Sequence, residues 1–123
     1  MGGTMKFDTC VMDEDGNLIP ASFEEWARFM EGPQRIIQQE EFMDGRYRVS
    51  TVFLGLDHSH GLGRKLYFET MVFGPEREVN AFGQSHMLRA SLWQERCETL
   101  AEAKELHEIG LRWLREQVLH TSP

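Results

Sequence analysis

The chain is poor in cysteine, in positive charge and in long apolar runs. Its two cysteines in 123 residues, Cys10 and Cys97, are too few and too isolated for a metal-binding cysteine cluster. With no signal peptide visible, they read as reduced thiols of a cytosolic protein. Thirteen Lys and Arg face 20 Asp and Glu, for a formal charge of −7. That balance disfavours direct nucleic-acid binding, which needs a basic face to displace counterions. It suits solubility, and it permits docking on a basic protein surface. No apolar run approaches the ~20 residues of a membrane span. Residues 1–5 lack both the charged and the apolar part of a targeting signal, and Gly2 stands in a weak context for lipidation. They read as a flexible start. Repeats, low-complexity tracts and linkers are absent as well.

What remains is one domain, expected over residues 6–119 with a tail at 120–123. A short strand over 6–12 ends in the turn cluster Asp13-Glu-Asp-Gly-Asn17, and Leu18-Ile19 makes a brief return. Ser22 with Glu25 forms a capping box for a short helix bearing Phe23, Trp26, Ala27 and Met30. Strands are expected over 35–42, 47–58 and 66–73, the first pair joined by a tight turn at Asp44-Gly45. Residues 76–86 read as a polar loop, and 87–96 as a fourth long strand. Thr99 with Glu102 is a second capping box. It opens a long helix whose stripe is Leu100, Ala103, His107, Leu111, Leu114 and Val118. The order implies α+β: an antiparallel meander of four or five strands, with one short and one long helix on one face.

Two β-prone runs, Val49-Ser-Thr-Val-Phe-Leu-Gly-Leu-Asp-His58 and Leu66-Tyr-Phe-Glu-Thr-Met-Val-Phe73, flank the loop Ser59-His-Gly-Leu-Gly-Arg-Lys65. They carry polar residues where apolar ones would suffice. Asp57 and His58 sit at the hairpin mouth, Glu69 inside the second strand, and His107 on the core stripe of the last helix. The register decides the pairing: an odd sum of paired positions puts Glu69 on the face of His58, an even sum with Asp57. His58, Glu69 and His107 would form a two-histidine, one-carboxylate set suited to zinc, manganese or iron, or to acid–base chemistry. The competing reading is a buried hydrogen-bond network in which Glu69 and Asp57 pair with histidines or Arg48. The loop amides beside Arg64 and Lys65 could contact an anion, though without a P-loop pattern.

At the hairpin the chain resembles a family of small bacteriophage and prophage proteins of unassigned function. The resemblance rests on four segments: Asp15 to Pro20 with Glu24 to Arg28, Val49 to His58, Phe68 to Phe73, and Thr99 with Glu102, Ala103 and His107. It implies a phage-related accessory protein acting in the bacterial cytoplasm, and it puts Asp57, His58, Glu69 and His107 at matching positions. The chain departs from the family pattern at Arg64-Lys65, where prolines are expected, and in the extra segment 76–86.

Three functions compete. The first is an accessory protein that binds a host protein or a small ligand, as in counter-defence. The second is a small metal-dependent hydrolase or phosphodiesterase, in which His58, Glu69 and His107 hold a divalent metal and Asp57 orients or acts as base. The third is a ligand-sequestering homo-oligomer holding a nucleotide-like molecule through Arg64, Arg89 or Trp93, with Lys65 beside them. None of the three calls for a membrane.

Overall fold

A computed structural model describes residues 9–56 and 65–119. Strands β1 (Cys10–Met12) and β2 (Leu18–Pro20) form a two-stranded ribbon. Helix α1 (Phe23–Met30) follows, opened by the expected capping box, in which the Ser22 hydroxyl accepts from Glu25 N–H and the Glu25 carboxylate accepts from Ser22 N–H. A 3₁₀ turn at Pro33–Arg35 leads into a four-stranded antiparallel sheet. Its strands are β3 (Ile36–Phe42), β4 (Tyr47–Phe53), β5 (Phe68–Ala81) and β6 (Gln84–Cys97), in the order β3-β4-β5-β6. Helix α2 (Leu100–Leu114) starts at the Thr99–Glu102 capping box and ends in one π-helical turn, Arg115–Leu119. The α+β meander expected from the sequence is present, and its long helix lies on one face of the sheet.

The two central strands are registered so that Phe53 faces Phe68, Thr51 faces Thr70 and Val49 faces Val72. Because side chains alternate, these six point to one face, and all are fully buried. Against them α2 lays Ala103, His107, Gly110, Leu111 and Leu114. Phe53, Phe68 and Ala103 join Cys10, Tyr67 and Cys97 in one apolar cluster; Val49, Val72, Leu111 and Leu114 form a second. Helix α1 reaches the first cluster through Phe29, whose ring stands edge-on to Phe53 with centroids 5.6 Å apart. Gly110 lets α2 approach the sheet closely: a Cβ there would lie 3.2 Å from both Thr70 Cγ2 and Trp93 Cζ3.

Three details depart from the sequence reading. Residues 76–86 are not a loop: they continue β5 into β6 through a two-residue turn at Phe82-Gly83, with Ala81 opposite Gln84. A ribbon standing off the core needs no apolar alternation, which hid it. Strand β4 ends at Phe53 instead of running to His58, because Gly55 takes φ +68°. The β3–β4 turn spans four residues, with Met43, Asp44 and Gly45 all at positive φ. The expected strand positions 6–8, the flexible start 1–5, Asp57, His58, the glycine loop with Arg64, and the tail lie outside the described residues.

Gly55 ties the ribbon and α1 to the sheet. Its carbonyl accepts from Cys10 N–H, and the Trp26 indole donates to the neighbouring Leu54 carbonyl at 2.8 Å. A Cβ at position 55 would stand 2.5 Å from Trp26 Nε1 and 2.7 Å from the Cys10 carbonyl oxygen. Gly55→Ala therefore combines backbone strain with overlap. It is expected to destabilise the fold by about 2 kcal/mol or more, read as a lower urea midpoint at unchanged slope.

Burial pushes the Cys10 thiol up to about 11 from its usual 9.0. The folded state thus keeps a proton that the unfolded chain loses. The corresponding stability is intact below pH 9 and declines as pH rises toward about 11. Urea unfolding across that window should show this decline, and Cys10→Ala should flatten it.

Candidate functional site

Between the two apolar clusters lies a polar layer. The Thr51 and Thr70 hydroxyls are 2.6 Å apart, and Thr51 Oγ1 lies 2.7 Å from His107 Nδ1. On the other side of the ring, His107 Nε2 lies 2.8 Å from a carboxylate oxygen of Glu40. Thr51, Thr70 and His107 are completely buried, whereas the Glu40 side chain is 42% exposed. Glu40 is carried in by β3, where it pairs with Val49, two positions along from the Gln38–Thr51 pair and so on the same face.

The hydrogen-bond inventory closes without a gap. One self-consistent assignment satisfies every atom: Nε2–H donates to the Glu40 carboxylate, the Thr51 hydroxyl to Nδ1, and the Thr70 hydroxyl to Thr51. Among the described residues no buried side-chain nitrogen or oxygen lacks a partner. A carboxylate, an imidazole and a hydroxyl in line have the order of a nucleophile relay. Here, though, both hydroxyls are sealed beneath α2, so a substrate reaches neither. Glu40 is the member that meets solvent.

Glu69 is elsewhere. The β4–β5 register pairs Val52 with Glu69, an odd sum, and Thr70 next to it faces α2. Glu69 therefore lies on the sheet face opposite His107, where Arg96 Nε donates to it at 2.9 Å. The proposed ligand pair Glu69 and His107 is separated by the thickness of the sheet. The competing network reading is corrected too: Glu69 pairs with Arg96 rather than with a histidine or Arg48, and Arg48 holds Glu41 at 2.7 Å. Among the described residues no group of three His, Cys, Asp or Glu side chains could hold a metal ion.

Arg89 and Trp93, named as ligand contacts, serve the fold. The Arg89 guanidinium donates to the Gly74 carbonyl at 3.1 Å and to the Gly45 carbonyl, clamping β6 to the β3–β4 turn. Trp93 is half-buried against Gly110. Lys65 is half-buried where the described chain resumes.

A concavity among the described residues lies at the α1 end of the sheet. It is an open cleft of about 900 Å³ lined by the β1–β2 turn, the 3₁₀ turn and the start of α2. Met12, Phe29, Ile36, Ile37 and Leu100 supply apolar surface, while Asp13, Glu14, Asp15 and Lys104 supply charge. The Asp13 carboxylate is held below its usual range by hydrogen bonds from Asn17, Asp15 and Gly16, which fix the turn that walls the cleft. Sequence reading named none of these as site residues. It also passed over Glu40, Thr51 and Thr70, although the mirrored patterns Val49-x-Thr-x-Phe53 and Phe68-x-Thr-x-Val72 were there to find.

No family model, curated protein or solved structure matches the chain.

If the polar layer is structural, breaking it halfway should cost more than removing it. Thr51→Val leaves His107 Nδ1 buried without its partner and should cost about 1–3 kcal/mol. The triple variant Thr51→Val, Thr70→Val, His107→Leu should lie nearer wild type than Thr51→Val alone. Urea denaturation of the two proteins decides the order.

Proposed function

We propose that this chain is a phage-type accessory protein that acts by binding, with the cleft between the β1–β2 turn, the 3₁₀ turn and α2 as its seat. One observation carries the reading. The cleft, about 900 Å³ in volume, falls within the ~300–1,000 Å³ range of small-molecule sites and joins apolar walls to a charged rim. Three acids against one lysine favour a ligand with an apolar body and a positively charged end. A small molecule of that kind fits, and so does a basic, apolar side chain presented by a host protein. The phage resemblance supplies the biological setting, a counter-defence or host-modulating role in the bacterial cytoplasm.

Gln34 is exposed on the rim, in the 3₁₀ turn, so Gln34→Trp would fill the cleft without removing a core contact. Native mass spectrometry of protein from a bacterial host should show a co-purifying small molecule or host protein on wild type. Gln34→Trp should lose it while keeping its melting temperature within a few degrees. A partner retained by Gln34→Trp would remove the cleft from the proposal.

A further inference from the structure

Beyond Gly74 the strands β5 and β6 leave the sheet as a two-stranded arm, paired from Glu76–Arg89 out to Ala81–Gln84. An isolated two-stranded hairpin is marginal in water. This one also exposes apolar surface: Phe82 is 103% exposed, Met87 61%, Leu88 53% and Leu92 37%. Its turn residue is unusual. Phe82 holds φ +53°, a conformation that favours Asn, Asp or Gly, so a bulky aromatic is kept at the tip at a conformational cost.

Among the described residues the outer edge of the arm is the outer edge of the sheet, since β6 is terminal in the order β3-β4-β5-β6. Edge strands are normally protected by lysine, proline, charge or brevity. The opposite edge, β3, is protected: it is 7 residues long, bulged, and carries Glu40 and Glu41. Strand β6 runs 14 residues, and positions 84–94 contain no lysine, no proline and no acid. The cation within that stretch, Arg89, is turned inward onto the Gly74 and Gly45 carbonyls. In a chain of net charge −7, this is a long edge where two molecules can meet without acid-to-acid repulsion.

We infer that the β6 edge of the arm pairs antiparallel with the same edge of a second copy of this chain. An antiparallel edge is its own complement about a two-fold axis, so one contact completes both arms and closes the assembly at two. An axis at Met87 sets that residue against its own image and places Leu88 opposite His86. It also brings Phe82 at the tip opposite Leu92 of the second copy. A foreign strand would complete only one arm, and it would have to outcompete self-pairing that is always available.

Sedimentation equilibrium on wild type, on Met87→Glu/Leu88→Glu and on Phe82→Asn tests this. Wild type should be a dimer up to about 100 µM, with no larger species. The double variant places acid on an exposed edge and should weaken association at least about tenfold. Phe82→Asn suits the turn better, so it should weaken the dimer while leaving the melting temperature of the dilute monomer equal or higher. That split separates an interface role from a structural one. A monomeric wild type, open-ended assembly, or a dimer that both variants leave intact would each overturn the inference.

Discussion

The fold hangs on one chain of hydrogen bonds, buried from Thr70 through Thr51 to His107 and reaching solvent at Glu40. It divides the interface between sheet and helix into three layers. Phe53, Phe68 and Ala103 lie on one side, Val49, Val72 and Leu111 on the other, and the hydroxyls and imidazole lie between. Sliding β5 by two residues against β4 would set a threonine hydroxyl against Phe or Val, leaving a buried polar group unpaired at a cost of about 1–3 kcal/mol. Turning α2 out of phase would do the same to His107. A purely apolar interface would tolerate such slips more readily; this layer penalises them, and its benefit lies in a single register more than in net stability.

That constraint also sets where the rest can go. With α2 and α1 on one face, the opposite face is left to cross-strand pairs: Glu41 with Arg48, Gln39 with Ser50, and Glu69 with Arg96. The buried carboxylate Glu69 is thereby satisfied locally. Its presence in an apolar strand is explained by Arg96 directly opposite it on β6.

Much of this was legible in the residues, and the reasons differ by element. Both helices announced themselves through Ser22–Glu25 and Thr99–Glu102, because capping boxes are local and need no tertiary information. The helix stripe correctly put His107 in the core. The mirrored Val-x-Thr-x-Phe and Phe-x-Thr-x-Val patterns encode the β4–β5 register, and with it the face of Glu69. Glu40 could not be found this way: its position depends on a bulge between Ile36 and Gln38 that shifts β3 against β4. The arm was missed because a two-stranded ribbon away from the core carries no alternating signal. Of the site residues first singled out, His107 and Glu69 have separate structural partners, while Asp57 and His58 fall outside the described residues.

The cleft and the arm belong to opposite ends of the strands. Strand β5 begins at Phe68, beside the cluster that α1 covers, and leaves the sheet past Phe73 as the arm. Antiparallel pairing of arms therefore joins two molecules at the ends remote from their clefts, and neither cleft loses access. Two equal sites on one closed assembly change the binding arithmetic. A target that displays its ligand feature repeatedly would be held by both, the second event being intramolecular and favoured by effective concentration instead of by new contacts. If the cleft binds and the arms pair as proposed, doubling by the arm would strengthen capture and leave the Thr–Thr–His layer undisturbed.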